Sequence, residues 1–215
     1  MKLKTLIVSA AGCACFAIAP TAGAALITFD TLVSGVTSYG YDGDGDGIHD
    51  AVFSTTDLSG FNTFGPGPNM LYISEPGIEG TTLLSPDLRV DFLKGAIGSL
   101  GFGFAMSAGV GGAPTSLTFS IYDAANVLLA SSTVDADYTI TVPPDGLSNF
   151  PEGLVSLAFA GTASYATLDF DPTNASRYII DNFTGTFGST ERIPEPGSLA
   201  LAALGLAALG WRRRG

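Results

Sequence analysis

The sequence reads as an all-β protein, an antiparallel β-sandwich of jelly-roll type, flanked by an N-terminal signal peptide and a short C-terminal transmembrane helix. Three features lead there. Short apolar or alternating runs recur between clusters of Gly, Pro, Asn and Asp. The composition is sheet-friendly, with 28 Gly, 14 Phe and 7 Tyr. No capped helical stretch interrupts the runs between residues 26 and 187. At 46% hydrophobic and 13% charged, the 215-residue chain has the material for a packed core and is too apolar for disorder.

Taken in order, the candidate strands are Leu26 to Asp30, Met70 to Ser74, Leu88 to Lys94, Leu100 to Met106, Ser116 to Tyr122, Val127 to Thr133, Tyr138 to Val142, Leu154 to Ala160, Tyr165 to Phe170 and Arg177 to Phe187. Alternation is clearest in Leu88-Val90-Phe92 and Leu117-Phe119-Ile121, whose intervening residues Arg89, Asp91, Thr118 and Ser120 are polar. Such strands have one wet face. The segments Ser107 to Pro114, Pro143 to Pro151 and Asp171 to Ser176 are loops by composition. Nothing marks an internal boundary, so residues 25–188 form one domain, followed by a linker at 189–192.

The two ends are of a different kind. Residues 1–24 have Lys2 and Lys4, then Leu6 to Ala19 without a charge, then Ala22-Gly23-Ala24, the pattern of a secretory signal peptide cut after Ala24. Fourteen apolar residues rise only about 21 Å as a helix, short of a ~30 Å hydrocarbon core. Both cysteines, Cys13 and Cys15, fall inside it, so the mature chain has no disulfide. At the other end, residues 193–215 contain Pro194-Glu195-Pro196, an uncharged run from Ser198 to Trp211, and Arg212-Arg213-Arg214. Physically this is a stiff spacer, a short apolar helix and a cationic stop that stays cytoplasmic.

That order resembles the PEP-CTERM sorting signal of Gram-negative bacteria. The resemblance implies recognition of Pro194, Glu195 and Pro196, with Arg212, Arg213 and Arg214 completing the signal, by a membrane-embedded exosortase. It also implies signal peptidase cleavage, transient anchoring in the inner membrane, and delivery to the cell surface or to extracellular polysaccharide.

Residues 25–197 hold Arg89, Lys94, Arg177 and Arg192 against all twenty acids, and four against twenty gives a formal charge of −16. A body so acidic repels nucleic acid and anionic glycans and gains from divalent cations. The most pointed local feature is Asp42-Gly43-Asp44-Gly45-Asp46-Gly47-Ile48-His49-Asp50. Carboxylates at relative positions 1, 3, 5 and 9, with Gly at 6, let a tight loop wrap oxygens around a hard cation. Asp42, Asp44, Asp46 and Asp50 are thus candidate calcium ligands, and the pattern resembles the calcium loops of EF-hand, dockerin and thrombospondin type 3 repeats. Position 12 is Phe53 rather than a bidentate acid and no helix flanks the loop, so a thrombospondin-like loop borrowing a ligand such as Asp57 fits better. A merely acidic turn accommodates the same glycines. His49 falls at a non-ligand position and is expected in solvent.

The last strand carries Ile179-Ile180-Asp181-Asn182-Phe183 and is expected to face Ile27-Thr28-Phe29-Asp30. This pairing resembles carbohydrate-binding modules and related secreted jelly rolls, which implies Asp181 and Asp30 as ligands of a second, structural calcium. An aspartate capping a strand end is the alternative. Tyr39, Tyr41, Phe61 and Phe64 stand in Gly-rich loop sequence and are candidates for a glycan-binding platform. No catalytic residue is assigned: without a mature cysteine there is no Cys-His pair, and a serine nucleophile would have to rely on His49 alone, in a Gly-rich acidic loop. The expected role is non-enzymatic, structural or glycan-binding. The alternatives are a secreted glycan-active hydrolase with a carboxylate pair and a filament subunit with an unpaired edge strand.

Overall fold

The computed structural model of the chain describes residues 23–63, 70–74, 76–108, 115–137, 141–142, 146–147 and 150–188. The predicted signal peptide to Ala22, the sorting signal, Phe64, Glu75 and Tyr138 lie outside these residues. The described residues form twelve strands: β1 (Gly23–Ile27), β2 (Ser38–Tyr41), β3 (Ala51–Ser54), β4 (Ile78–Gly80), β5 (Leu88–Ala108), β6 (Thr115–Tyr122), β7 (Leu128–Ala136), β8 (Thr141–Val142), β9 (Gly146–Leu147), β10 (Glu152–Ala158), β11 (Ala163–Phe170) and β12 (Ala175–Phe187). Every pairing is antiparallel, and the expected all-β sandwich is what forms. No described helix is long and apolar enough to cross a membrane.

One strand belongs to both layers. The first residues of β5 pair with β3 and β11, and β11 continues to β6 and β7. Its second half pairs with β12 on one side and β10 on the other, and β12 carries β1 and β4 end to end along its far edge. Between the halves, Gly95 and Gly98 take φ of 77° and 79°, a conformation that a side chain disfavours. The sequence suggested two strands with a break at this Gly-rich stretch; the glycines bend one strand instead of ending it.

Alternation fixes which face each strand buries. β6 follows a strict inward and outward pattern, with Leu117, Phe119 and Ile121 fully buried. Its outer face joins β7 through hydroxyl pairs, Thr118 with Thr133 at 3.0 Å and Ser120 with Ser131 at 2.9 Å. The core between the layers is aromatic. Phe102 meets Phe119 edge-on at 5.1 Å, Phe53 meets Phe183 edge-on at 5.1 Å, and Phe170 stacks on Tyr178 at 4.3 Å.

Met70 to Ser74, expected as a strand, is an irregular strap across the outside of β5, β10 and β12. Its amides go to buried carboxylates instead of a ladder. Glu152 accepts from Leu71 N and Tyr72 N, both at 2.9 Å, and Asp181 accepts from Ser74 N at 2.8 Å. Gly103 lets the strap lie flat, since a Cβ there would stand 2.0 Å from the Tyr72 carbonyl oxygen. Ile73 is buried beneath it against Ala105 and Ile179.

Phe102, at the centre of this packing, sets an expected magnitude. Phe102→Ala should destabilise the protein by about 3–5 kcal/mol, whereas Thr133→Ala on the wet face should stay within about 0.5 kcal/mol. Chemical denaturation of both variants checks the contrast.

Candidate functional site

The acidic run from Asp42 to Asp50 is the loop of the β2–β3 hairpin, closed by Asp50 N donating to the Tyr41 carbonyl at 2.7 Å. It folds on its own carboxylates. Asp42 accepts from Gly45 N at 2.8 Å and Gly47 N at 2.9 Å, and Asp46 accepts from Ile48 N at 2.8 Å. Asp50 accepts from Gly43 N at 2.8 Å. The Gly47 amide, followed by that of Gly45, holds the Asp42 carboxyl below its ordinary range against the opposing effect of burial. Gly45 and Gly47 have φ of 71° and 86°, which this winding requires.

The loop brings together carboxylate oxygens of Asp42, Asp44 and Asp50 within 4.8 Å of one another, an all-oxygen donor set of the kind a hard cation takes. A cation from another part of the chain already reaches two of these, Asp44 and Asp50, together with Asp46 outside the group. Lys94, at the bend of β5, places its Nζ 2.8 Å from Asp44, 2.9 Å from Asp46 and 3.1 Å from Asp50. Burial opposes the charge on Lys94, yet hydrogen bonds from its ammonium to the three carboxylates outweigh it and raise its pKa. Asp57, named as a ligand to be borrowed, instead accepts from the amide and hydroxyl of Ser59 and is not in this group. His49 is exposed over Gly40.

β1 pairs with β12 as expected, with Ile27 opposite Phe183, and the charge of Asp30 bears on Asp181. Asp30 is exposed and bonded to Thr28 at 2.7 Å. Asp181 is 1% exposed, and while one oxygen accepts from Ser74 the other is buried without a hydrogen-bond partner. Burial, despite the Asn182 and Ser74 amides, raises its pKa to about 6, with the charge of Asp30 adding to the rise. Phe29 and Asn182, each next to one of these aspartates, hold left-handed φ of 59° and 55°.

The aromatic residues named as a glycan platform are dispersed. Phe61 is 1% exposed and lies in the core, drawn in by backbone bonds between it and Gly35 and Val36. It offers no face to a ligand. Tyr39 and Tyr41 are half-buried against the core, Tyr39 edge-on to Phe29 at 5.5 Å. Phe64 lies outside the described residues.

Sequence reading missed the buried acids that hold backbone. Glu79 is paired with Arg177 at 2.8 Å and accepts from Asn62 at 2.6 Å. Asp87 accepts from the amides of Leu84 and Phe170. A usable signal was present: Asp87 and Glu152 each follow a proline at the start of an apolar run.

Residues 192–214 match the PEP-CTERM protein-sorting motif, so the chain carries that motif as the sequence indicated. The motif marks an exported protein sorted to the cell surface of Gram-negative bacteria. No curated protein matches the chain. Among solved structures, the K1 cleaved adhesin domain of Lys-gingipain from Porphyromonas gingivalis W83 is similar at 17% identity, covering 78% of this chain and 99% of that one, with a TM-score of 0.40. The K3 domain of the same protein gives 12% identity, 75% and 98% coverage and a TM-score of 0.39. A variant of a family 29 carbohydrate-binding module gives 12% identity, 81% and 99% coverage and a TM-score of 0.36. These are likenesses of architecture.

Asp87 is 1% exposed, and burial, against the Phe170 and Leu84 amides, raises its pKa from 3.8 to about 6. The native protein therefore binds this proton more tightly than the unfolded chain does. Its contribution to stability is complete below pH 3.8 and is lost as pH rises through about 6. The melting temperature should fall across that window, and Asp87→Asn should remove a part on the order of 1–3 kcal/mol of the dependence. Melting curves as a function of pH measure both.

Proposed function

We propose that this protein is an exosortase substrate whose β-sandwich is delivered to the cell surface or exopolysaccharide matrix, where it has a non-catalytic structural or glycan-binding role and is stabilised by calcium. The observation that carries the reading is the sorting motif, with Pro194-Glu195-Pro196, an uncharged run and Arg212 to Arg214 in order. In this account signal peptidase cuts after Ala24 and the C-terminal run anchors the chain briefly in the inner membrane. The fold tolerates the first cut: β1 loses its rungs opposite Phe187 and Thr186 and keeps Ala25, Leu26 and Ile27 opposite Gly185, Thr184 and Phe183.

A non-catalytic role is supported by what the buried carboxylates do. Glu79, Asp87, Glu152 and Asp181 each accept hydrogen bonds that fasten one segment to another. In the calcium part of the reading, Asp42, Asp44, Asp46 and Asp50 hold one ion. Their oxygen-only donor set fits it, with Lys94 as a competitor that must withdraw. Asp30 and Asp181 hold a second, which compensates the oxygen of Asp181 that has no partner. Calcium supplies positive charge and fixes carboxylates that otherwise repel.

Deleting Arg212 to Arg214 should leave the protein unsorted; the same surface localisation with and without them contradicts the sorting reading. For the metal, calcium at 100 times its dissociation constant should stabilise the protein by about 2.7 kcal/mol per site. Lys94→Met should lower the melting temperature without calcium and enlarge the rise that calcium produces. A melting temperature insensitive to calcium in both proteins contradicts the calcium reading.

A further inference from the structure

A trough of about 480 Å³ lies on the outer face of the layer that holds β12, β5 and β10, with Leu71 and Tyr72 of the strap as one wall. At Gly101 its floor is backbone, because that residue faces outward from β5 with no side chain, while Gly103 lies under the strap at the edge of the trough. Three large apolar residues rim it from three separate elements: Leu26 of β1, Leu71 of the strap and Leu154 of β10, 53%, 59% and 55% exposed. Isolated exposed leucines are ordinary, but three converging on one depression mark an interaction surface. Between them stand polar groups without charge, the hydroxyls of Ser99, Ser156 and Thr184 and the amide of Asn182.

The lining contains no Asp, Glu, Lys or Arg, on a body whose formal charge is −16. An anionic ligand meets no counter-charge there and is repelled by the surroundings. A cation has no carboxylate to hold it in the trough and many elsewhere. Asn182 Nδ2 already donates to the Tyr72 carbonyl at 3.2 Å and Thr184 Oγ1 to the Gly101 carbonyl at 3.0 Å, which leaves their oxygens as acceptors. A purely apolar chain would cover these and the Ser99 and Ser156 hydroxyls without bonding them, at a cost. What fits is an uncharged molecule that presents CH surface and hydroxyls together.

We infer that this trough binds a neutral glycan chain, its CH faces against Leu26, Leu71 and Leu154 and its hydroxyls bonded to Ser99, Ser156, Thr184 and Asn182. The inference rests on the glycan-binding role given above and assigns it a place and a ligand class. It also moves that role away from Tyr39, Tyr41 and Phe61.

The test is affinity electrophoresis of the full-length protein through gels containing a neutral β-glucan, a neutral mannan or a polyuronate, with Leu71→Asp and Leu154→Asp beside the unsubstituted chain. Both leucines are exposed, so melting temperatures should hold; if one variant fails to fold, the other decides. At least one neutral polysaccharide should retard the protein, the polyuronate should not, and each substitution should weaken binding roughly five- to tenfold or more. Equal retardation of the protein and both variants overturns the trough while leaving glycan binding standing. Retardation by the polyuronate alone overturns the ligand class. No retardation by any of the three overturns the glycan reading itself, and the trough inference with it. Self-association in sedimentation that Leu154→Asp abolishes, without neutral-glycan binding, makes the trough an interface between copies and also overturns the inference.

Discussion

The passage of β5 through both layers is the constraint on which the rest of the structure depends. A strand of 21 residues that pairs with β3 and β11 at its start and with β10 and β12 in its second half ties the two sheets covalently. Each half must then direct its apolar residues inward. Leu88, Val90 and Phe92 do so from one layer, and Leu100, Phe102, Phe104 and Met106 from the other. The change of layer falls at Gly95 and Gly98, where the chain takes dihedral angles that other residues resist. Two features of functional interest are referred to this strand: Lys94 sits beside the bend, and Gly101 forms the floor of the trough.

A body with few cations must manage its carboxylates by other means. At the surface, one ammonium is shared among Asp44, Asp46 and Asp50, a network in which a single ordered lysine serves three partners. In the interior, Glu79 keeps Arg177 as its cation, while backbone amides serve the others, and Glu152 fastens the strap through two of them. A buried carboxylate so satisfied helps specify where an irregular segment lies, but it resists ionising, as Asp87 and Asp181 show. The same acids that shape the fold thus make it sensitive to protons.

Local pattern made much of this legible. The alternation in Leu117 to Tyr122 reports directly which side chains face the core, and the acid loop announces its winding through its spacing of Asp and Gly. The pairing of β1 with β12 was expected from the usual strand order of such sandwiches, and it forms. Illegible were features set by distant partners. Lys94 lies some fifty positions from Asp44, and nothing near it in the chain points to the loop. Met70 to Ser74 has strand-like residues, yet its amides are claimed by Glu152 and Asp181, about 80 and 107 positions away. Phe61 stands in Gly-rich sequence like a surface aromatic, and tertiary packing draws it inside. The trough has no local signature, since its rim is assembled from three elements far apart in sequence.

The C-terminal sorting motif gives the destination, and the sandwich supplies an acidic body with an uncharged recess among its described residues. Peptide mapping and intact mass of the protein recovered from the cell surface test this most directly. The account predicts a chain that starts at Ala25 and lacks the apolar Leu199 to Trp211 run. Surface-borne protein that still carries Arg212 to Arg214 contradicts it.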